Sequence, residues 1–336
     1  MKAVVVERFG SPEELAFRDW PEPQPVAGEV TVDVHAVGLN FPDVLVAAGK
    51  YQTLPPLPFV PGKEFAGTVA SVGASVTRFR AGERVVGQLE NGAFAETVRI
   101  SADHCYPLPD ELSMVRAAAI GLTYQTAWFA LFDRGRLKAG ETVLVTGAGG
   151  GIGVSAMQLA KAAGCRVLAG IGTPNKRDFV LGQGADAVID MGGENLRHSV
   201  RAQVHAATGG HGADVVIENV GGPGFEACLR ALAWDGRLVV VGFSGGEIPS
   251  AQANYILVKH IAVTGIHWSD YLQRMPDRVR EVQAELFDMV AQGRIDPPIC
   301  AVLPIGRIAE AMDLIITRKA LGKIVLVTEG GSGPSE

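Results

Sequence analysis

The residues best suited to chemistry sit in one glycine-rich turn, Thr146-Gly147-Ala148-Gly149-Gly150-Gly151-Ile152-Gly153. The turn follows the short β-branched run Val143-Leu144-Val145. It opens an alanine-rich stretch, residues 152–163, that suits a helix ended by Gly164. A dinucleotide fingerprint has this setting. Here it reads A-x-G-x-x-G through Ala148, Gly150 and Gly153, with alanine in place of the first glycine. Gly150 would let the backbone approach a pyrophosphate, and Gly153 would let the helix pack closely on its sheet. The helix start, with Gly149, Gly151 and Ile152, would offer N–H groups and a positive dipole end to the phosphates. The competing reading is a glycine-rich loop with no ligand. The strand before the turn and the helix and strand after it favour the nucleotide.

The end of the next strand separates the two nicotinamide cofactors. An NAD site places Asp or Glu there to bind the ribose 2′-OH. This chain has Ala169-Gly170-Ile171-Gly172-Thr173-Pro174-Asn175-Lys176-Arg177, with no acid before Asp178. Small residues such as Gly172 leave room for a 2′-phosphate, and Lys176 or Arg177 can neutralise it. NADP(H) is therefore the expected cofactor. The alternative is that Lys176 and Arg177 are solvated surface charges.

Metal chemistry has no comparable signal. Cys105, Cys165, Cys228 and Cys300 lie far apart without a CxxC pair, which argues against a Cys-built metal knuckle and against a disulfide framework. Buried small apolar side chains are the expected state of all four. The seven histidines show no paired ligand spacing, and no metal is expected.

The elements that must position these residues follow from the texture of the chain. Its 336 residues exceed a usual single core, so two domains are expected. Hydrophobic residues at 47% and charged residues at 20% give a globular balance. The net charge of −6 carries no long Lys/Arg run, so neither nucleic acid nor an acidic membrane is an expected partner. The start of the chain does not read as a signal peptide, and no apolar run reaches the roughly 20 residues that span a bilayer. A cytoplasmic location is the default expectation.

The first 120 or so residues read as β-rich, with strands near 30–37, 65–72 and 84–86 separated by Gly- and Pro-rich turns. Residues 117–132 read as one helix. From Glu141 strands alternate with helices: 143–146, 166–171, 187–189, 213–217, 237–241 and 261–264. That alternation predicts a doubly wound parallel sheet. Residues 277–292 and 308–317 read as further helices and 323–327 as a final strand. The tail 330–336 is expected to be frayed.

Several motifs make the whole chain similar to the zinc-free quinone oxidoreductase (zeta-crystallin-like) branch of the medium-chain dehydrogenase/reductase superfamily. They are Asn40-x-x-Asp43, Gly49-x-Tyr51, Pro61-Gly62-Lys63-Glu64, Gly242-Phe243-Ser244-Gly245-Gly246, Asn254 to Lys259, and Gly322-Lys323. The resemblance implies an α/β protein with a GroES-like β-rich catalytic domain at 1–122 and 266–336. It implies a Rossmann doubly wound domain at 123–265. It would place Thr126 at the nicotinamide carboxamide and Thr173 with Lys176 at the 2′-phosphate. Phe243, Ser244 and Ile266-His267-Trp268 would line the cofactor channel, and Lys323 joins the cofactor set. Met191 departs from the tyrosine that relatives often carry beside the adenosine phosphate.

Zinc-bearing relatives have Cys at the position of Asn40 and His at that of Lys63. An amide and an ammonium are poor zinc ligands, so the resemblance points to reduction of an already electrophilic acceptor. The expected reaction is hydride transfer from NADPH to a quinone. Reduction of an enone or enoyl thioester is the alternative, and a non-catalytic NADPH-binding protein is a second. Asn40 and Tyr51 are the candidate donors to the acceptor oxygen. Asp43 completes the catalytic set, although its place suits a bond to a local backbone N–H better than chemistry. A homo-oligomer, dimer or tetramer, is expected from the family.

Overall fold

The computed structural model describes residues 1–328. The tail 330–336, expected to be frayed, lies outside them. The chain forms two compact units. One contains Met1–Leu122, Ser269–Asp288 and the chain from Pro297 onward, and the other Thr123–Trp268 with Met289–Asp296. Residues 266–268 and 289–296 group with the nucleotide-fold unit. Side-chain bonds explain the second return. Gln158 Nε2 donates to Asp296 O at 2.7 Å, and Asp296 N donates to Gln158 Oε1 at 2.9 Å.

In the first unit the described residues build a seven-stranded sheet around Glu29–Leu39. Val30, Val32 and Val34 alternate with polar residues along this strand and face the core. The strand pairs antiparallel with Glu64–Val72, Thr97–Ser101 and Lys323–Val327. The register sets Ile324 opposite Leu39 and Val37 opposite Phe65. The ends of three strands distant in sequence, at Asn40, Glu64 and Lys323, thereby meet at one corner.

The second unit carries a six-stranded sheet, here β1 (Thr142–Thr146), β2 (Arg166–Ile171), β3 (Ala187–Asp190), β4 (Ala213–Glu218), β5 (Leu232–Val240) and β6 (Ala262–Gly265). The order is β3-β2-β1-β4-β5-β6 and every pairing is parallel. This is the doubly wound order, with its reversal between β1 and β4. Val143, Leu144 and Val145 are fully buried, as a strand covered on both faces requires. Each contributes about 1.5–3 kcal/mol by leaving water.

Three expectations need correction. Residues 117–132 are not one helix. Met114–Ala117 ends, the chain turns, and Leu122–Trp128 resumes before a π-helical turn at Phe129–Arg134. The break lets Leu122 N donate to the Glu64 carboxylate at 2.6 Å. It also needs Gly121, because a Cβ there would stand 2.5 Å from Glu64 Oε2. Strand β5 begins five residues before the expected 237, since Leu232 already pairs with Ala213 before a register shift throws Trp234 and Asp235 out of the ladder. Among the cysteines, Cys300 is exposed; the other three are buried.

Candidate active site

One candidate region, in the nucleotide unit, is a cradle at the carboxyl end of β1. Gly147 turns the chain with φ of 59° and Gly150 caps helix α1 (Gly151–Ala162) in extended conformation. The opening N–H groups of a helix have no intrahelical partners, and the helix dipole favours negative charge there. Gly153 is required by packing: a Cβ would stand 2.3 Å from Gly147 O. Gly150 is different. A Cβ there would meet only Gly147 O at 3.5 Å, an ordinary contact. Its small size serves whatever approaches from outside. Ala148 and Gly149 are buried, and Ala148 N donates to Gly170 O at 3.1 Å, so this pair forms the floor of the turn. Gly151 and Ile152 are half-buried at its rim.

The switch point next to β1 is laced by residues that sequence reasoning missed. Thr146 Oγ1 donates to Glu218 Oε1 at 3.2 Å, and Asn219 Nδ2 donates to Thr146 O at 2.8 Å. The Glu218 carboxylate also accepts the N–H groups of Val220 and Gly221, and burial pushes its pKa up against those bonds. The signal was an acid closing a strand before Asn219 and a glycine pair. Ser244 Oγ donates to Asn219 O at 2.9 Å. The Phe243 ring lies 3.2 Å from where a Cβ on Gly221 would stand. Phe243 and Ser244 therefore pack against the loop that follows β4.

Beyond β2, Gly172 and Thr173 are exposed, and a Cβ on Gly172 would meet nothing within 4 Å. Lys176 closes the short turn Pro174–Lys176 and is half-buried, while Arg177 is exposed. Met191 lays its sulfur over Gly170, 2.6 Å from where a Cβ would be. Ile266 follows β6, half-buried, with its N–H donated to Val240 O. His267 is exposed. Trp268 corrects the expectation of a channel wall: it is buried and its Nε1 donates to Gln125 Oε1 at 2.9 Å. On Leu122–Trp128, the Thr126 hydroxyl is buried without a partner among the described residues, and so is that of Thr123 one turn earlier. Thr123 was not anticipated.

A separate candidate region is a buried polar network in the first unit. Asn40 caps the helix Phe41–Ala47, and Asp43 Oδ2 accepts the Asn40 N–H at 2.8 Å. Asp43 thus completes a capping box with Asn40. Burial raises its pKa to about 7, opposed by Lys63, the Asn40 N–H and Lys323. Asn40 Nδ2 donates to Glu64 Oε1 at 2.8 Å and to Gly38 O at 3.2 Å. Lys323 Nζ donates to Asn40 Oδ1 at 2.7 Å, Glu64 Oε1 at 2.7 Å and Leu39 O at 3.1 Å.

Two expectations are corrected by these bonds. Both amide hydrogens of Asn40 are engaged inside the network, so it is not poised as a donor to an acceptor. Lys323 is 3% exposed with three acceptors for its three N–H groups, so it clamps the domain core rather than reaching a cofactor. Tyr51 is half-buried, and desolvation, then Glu90 and Asp43, push its pKa to about 12. At neutral pH it is a hydrogen-bond donor and a reluctant acid.

Lys63, where the resemblance implies a ligand in zinc-bearing relatives, is bonded to Glu90 Oε2 at 2.9 Å. Among the described residues no group of three or more His, Cys, Asp or Glu is placed to hold a metal ion.

A GroES-like β unit and a Rossmann unit with an intact phosphate turn, in one chain, define a medium-chain dehydrogenase/reductase. The comparisons agree. Residues 26–110 match the alcohol dehydrogenase GroES-like domain and residues 151–287 the family described as zinc-binding dehydrogenase. The quinone oxidoreductase-like protein 2 homolog of Nematostella vectensis is 37% identical over 98% of this chain and 87% of its own length. A mycobacterial protein solved with NADPH is 32% identical, with a TM-score of 0.91 over 97% of this chain and 100% of that one. Quinone oxidoreductase of Escherichia coli, also solved with NADPH, is 30% identical with a TM-score of 0.90 over the same shares. The chain belongs to the quinone oxidoreductase family of that superfamily.

Proposed function

We propose that the protein is an NADPH-dependent oxidoreductase that reduces a quinone without a metal. The observation that carries the cofactor assignment is the open, acid-free end of β2: Gly172 leaves space, with Thr173, Lys176 and Arg177 around it. The residues present fit a dinucleotide. Gly150, Gly151, Ile152 and the α1 N-terminus would hold the pyrophosphate, and the unpartnered hydroxyl of Thr126 suits the carboxamide. When bound, NADPH supplies the hydride and the chain supplies placement. Tyr51 remains protonated at neutral pH and donates a hydrogen bond to the acceptor oxygen as negative charge develops there. Metal independence is supported by the amide of Asn40 and the paired ammonium of Lys63.

The decisive experiment follows NADPH oxidation after metal chelation, with an ortho-quinone and a simple enone side by side. Turnover of the quinone alone is the expected result. Preference for the enone reassigns the substrate class, and tight NADPH binding without any turnover makes the protein a binder.

The proposed macromolecular partner is a second copy of the chain. Trp234, Leu257 and Val258 are 73–76% exposed on the nucleotide unit, which is unusual for large apolar side chains. Light scattering of the purified chain tests it, and a monomer at micromolar concentration would refute it. A cytoplasmic location belongs to the same reading. Among the described residues no helix is long and apolar enough to cross a membrane, and cell fractionation is the check.

A further inference from the structure

Lys63 is unused by the readings above except as a non-ligand, yet its surroundings are specific. It precedes Glu64 at the edge of the strand Glu64–Val72 and is 2% exposed. Its Nζ donates to Glu90 Oε2 at 2.9 Å and to Glu90 O at 3.0 Å. The same ammonium lies 5.1 Å from the centroid of the Tyr51 ring. A lysine buried this far must be paired, and Glu90 supplies the pair. Glu90 alone does not account for the ring. A cation on the face of an aromatic ring is attracted by its quadrupole, most strongly where water is excluded. On a phenol the same cation draws electron density from the ring and makes the O–H a stronger donor. Glu90 fixes where the ammonium sits and tempers that effect.

We propose that Lys63 is a positioning residue for the reduction: its ammonium holds the Tyr51 ring in place and strengthens the phenol as donor to the acceptor oxygen. This rests on the reading of Tyr51 as that donor. It also explains why an ammonium, useless as a metal ligand, is buried at this position.

The test is a double-mutant cycle on the full chain with NADPH and an ortho-quinone, using Lys63→Met, Tyr51→Phe and both together, with Lys63→Arg as the conservative control. Lys63→Met is expected to lower kcat roughly five- to tenfold while leaving KM for NADPH nearly unchanged. Lys63→Arg keeps about half of kcat or more, since it keeps a cation over the ring. In the Tyr51→Phe background, Lys63→Met causes no further loss. An equal loss in both backgrounds overturns the inference and leaves the Tyr51 reading standing. A Tyr51→Phe enzyme with full kcat refutes the donor reading itself, and the inference with it. Should Lys63→Met fail to fold with Glu90 unpaired, Lys63→Met/Glu90→Gln carries the same comparison without a stranded charge.

Discussion

The phosphate turn of the nucleotide unit and the polar network of the β unit are opposite solutions to placing polar groups. The turn is local: the seven consecutive residues Gly147–Gly153 after β1 form it from backbone, and the N–H groups at the start of α1 are left for a ligand. The network is long-range and closed. Asn40 and Lys323, 283 residues apart, meet at 2.7 Å, and every donor of the Asn40 amide and the Lys323 ammonium has an acceptor inside the unit. Open donors make a binding site, and saturated donors make a frame. A buried polar side chain within a family motif can therefore hold its domain together without touching a reactant.

The contrast is broken most severely at the frame. Lys323→Met removes the counter-ion of the Glu64 carboxylate, which is 2% exposed. The expected loss is about 3–5 kcal/mol of stability, read as a lower urea midpoint of the β unit. Its NADPH affinity at a temperature where it stays folded should hardly move. A large loss of affinity instead would return Lys323 to the cofactor set.

Gly150→Ala tests the cradle from the other side. It meets no clash within the chain, so melting should be unchanged while NADPH binding weakens about tenfold, or ~1.4 kcal/mol, by fluorescence titration. Gly153→Ala, which collides with backbone at 2.3 Å, should lower both. Lys176→Ala is smaller still. Removing one partly solvated cation costs roughly 0.5–1 kcal/mol, seen as a two- to fivefold rise in KM for NADPH and none for NADH. Equal rises would refute recognition of the 2′-phosphate.

The mildest probe is pH. Asp43 titrates near 7 in the folded chain, above its ordinary value of 3.8. Between those values the folded state holds more protons than the unfolded one, so stability falls as pH rises through this window. Asp43→Asn should flatten that slope in denaturation midpoints measured from pH 4.5 to 7.5. An unchanged slope would assign it to another group.

The sequence by itself determined the parts whose causes are local. The six parallel strands, the reversal of their order and the phosphate turn follow from apolar runs, glycine spacing and helix-forming composition within about 120 residues. The absence of an acid after β2 was likewise legible residue by residue. Three things were decided only in three dimensions. The helix expected at 117–132 is interrupted where Glu64, far away in sequence, accepts the N–H of Leu122. The roles of Asn40 and Lys323 depend on a sheet register that sets Ile324 opposite Leu39. Lys63 looked like a lost metal ligand until the fold laid its ammonium over Tyr51. In each case a buried polar group must find its partner, and the partner's identity is fixed by strand pairing across the chain, not by neighbouring residues.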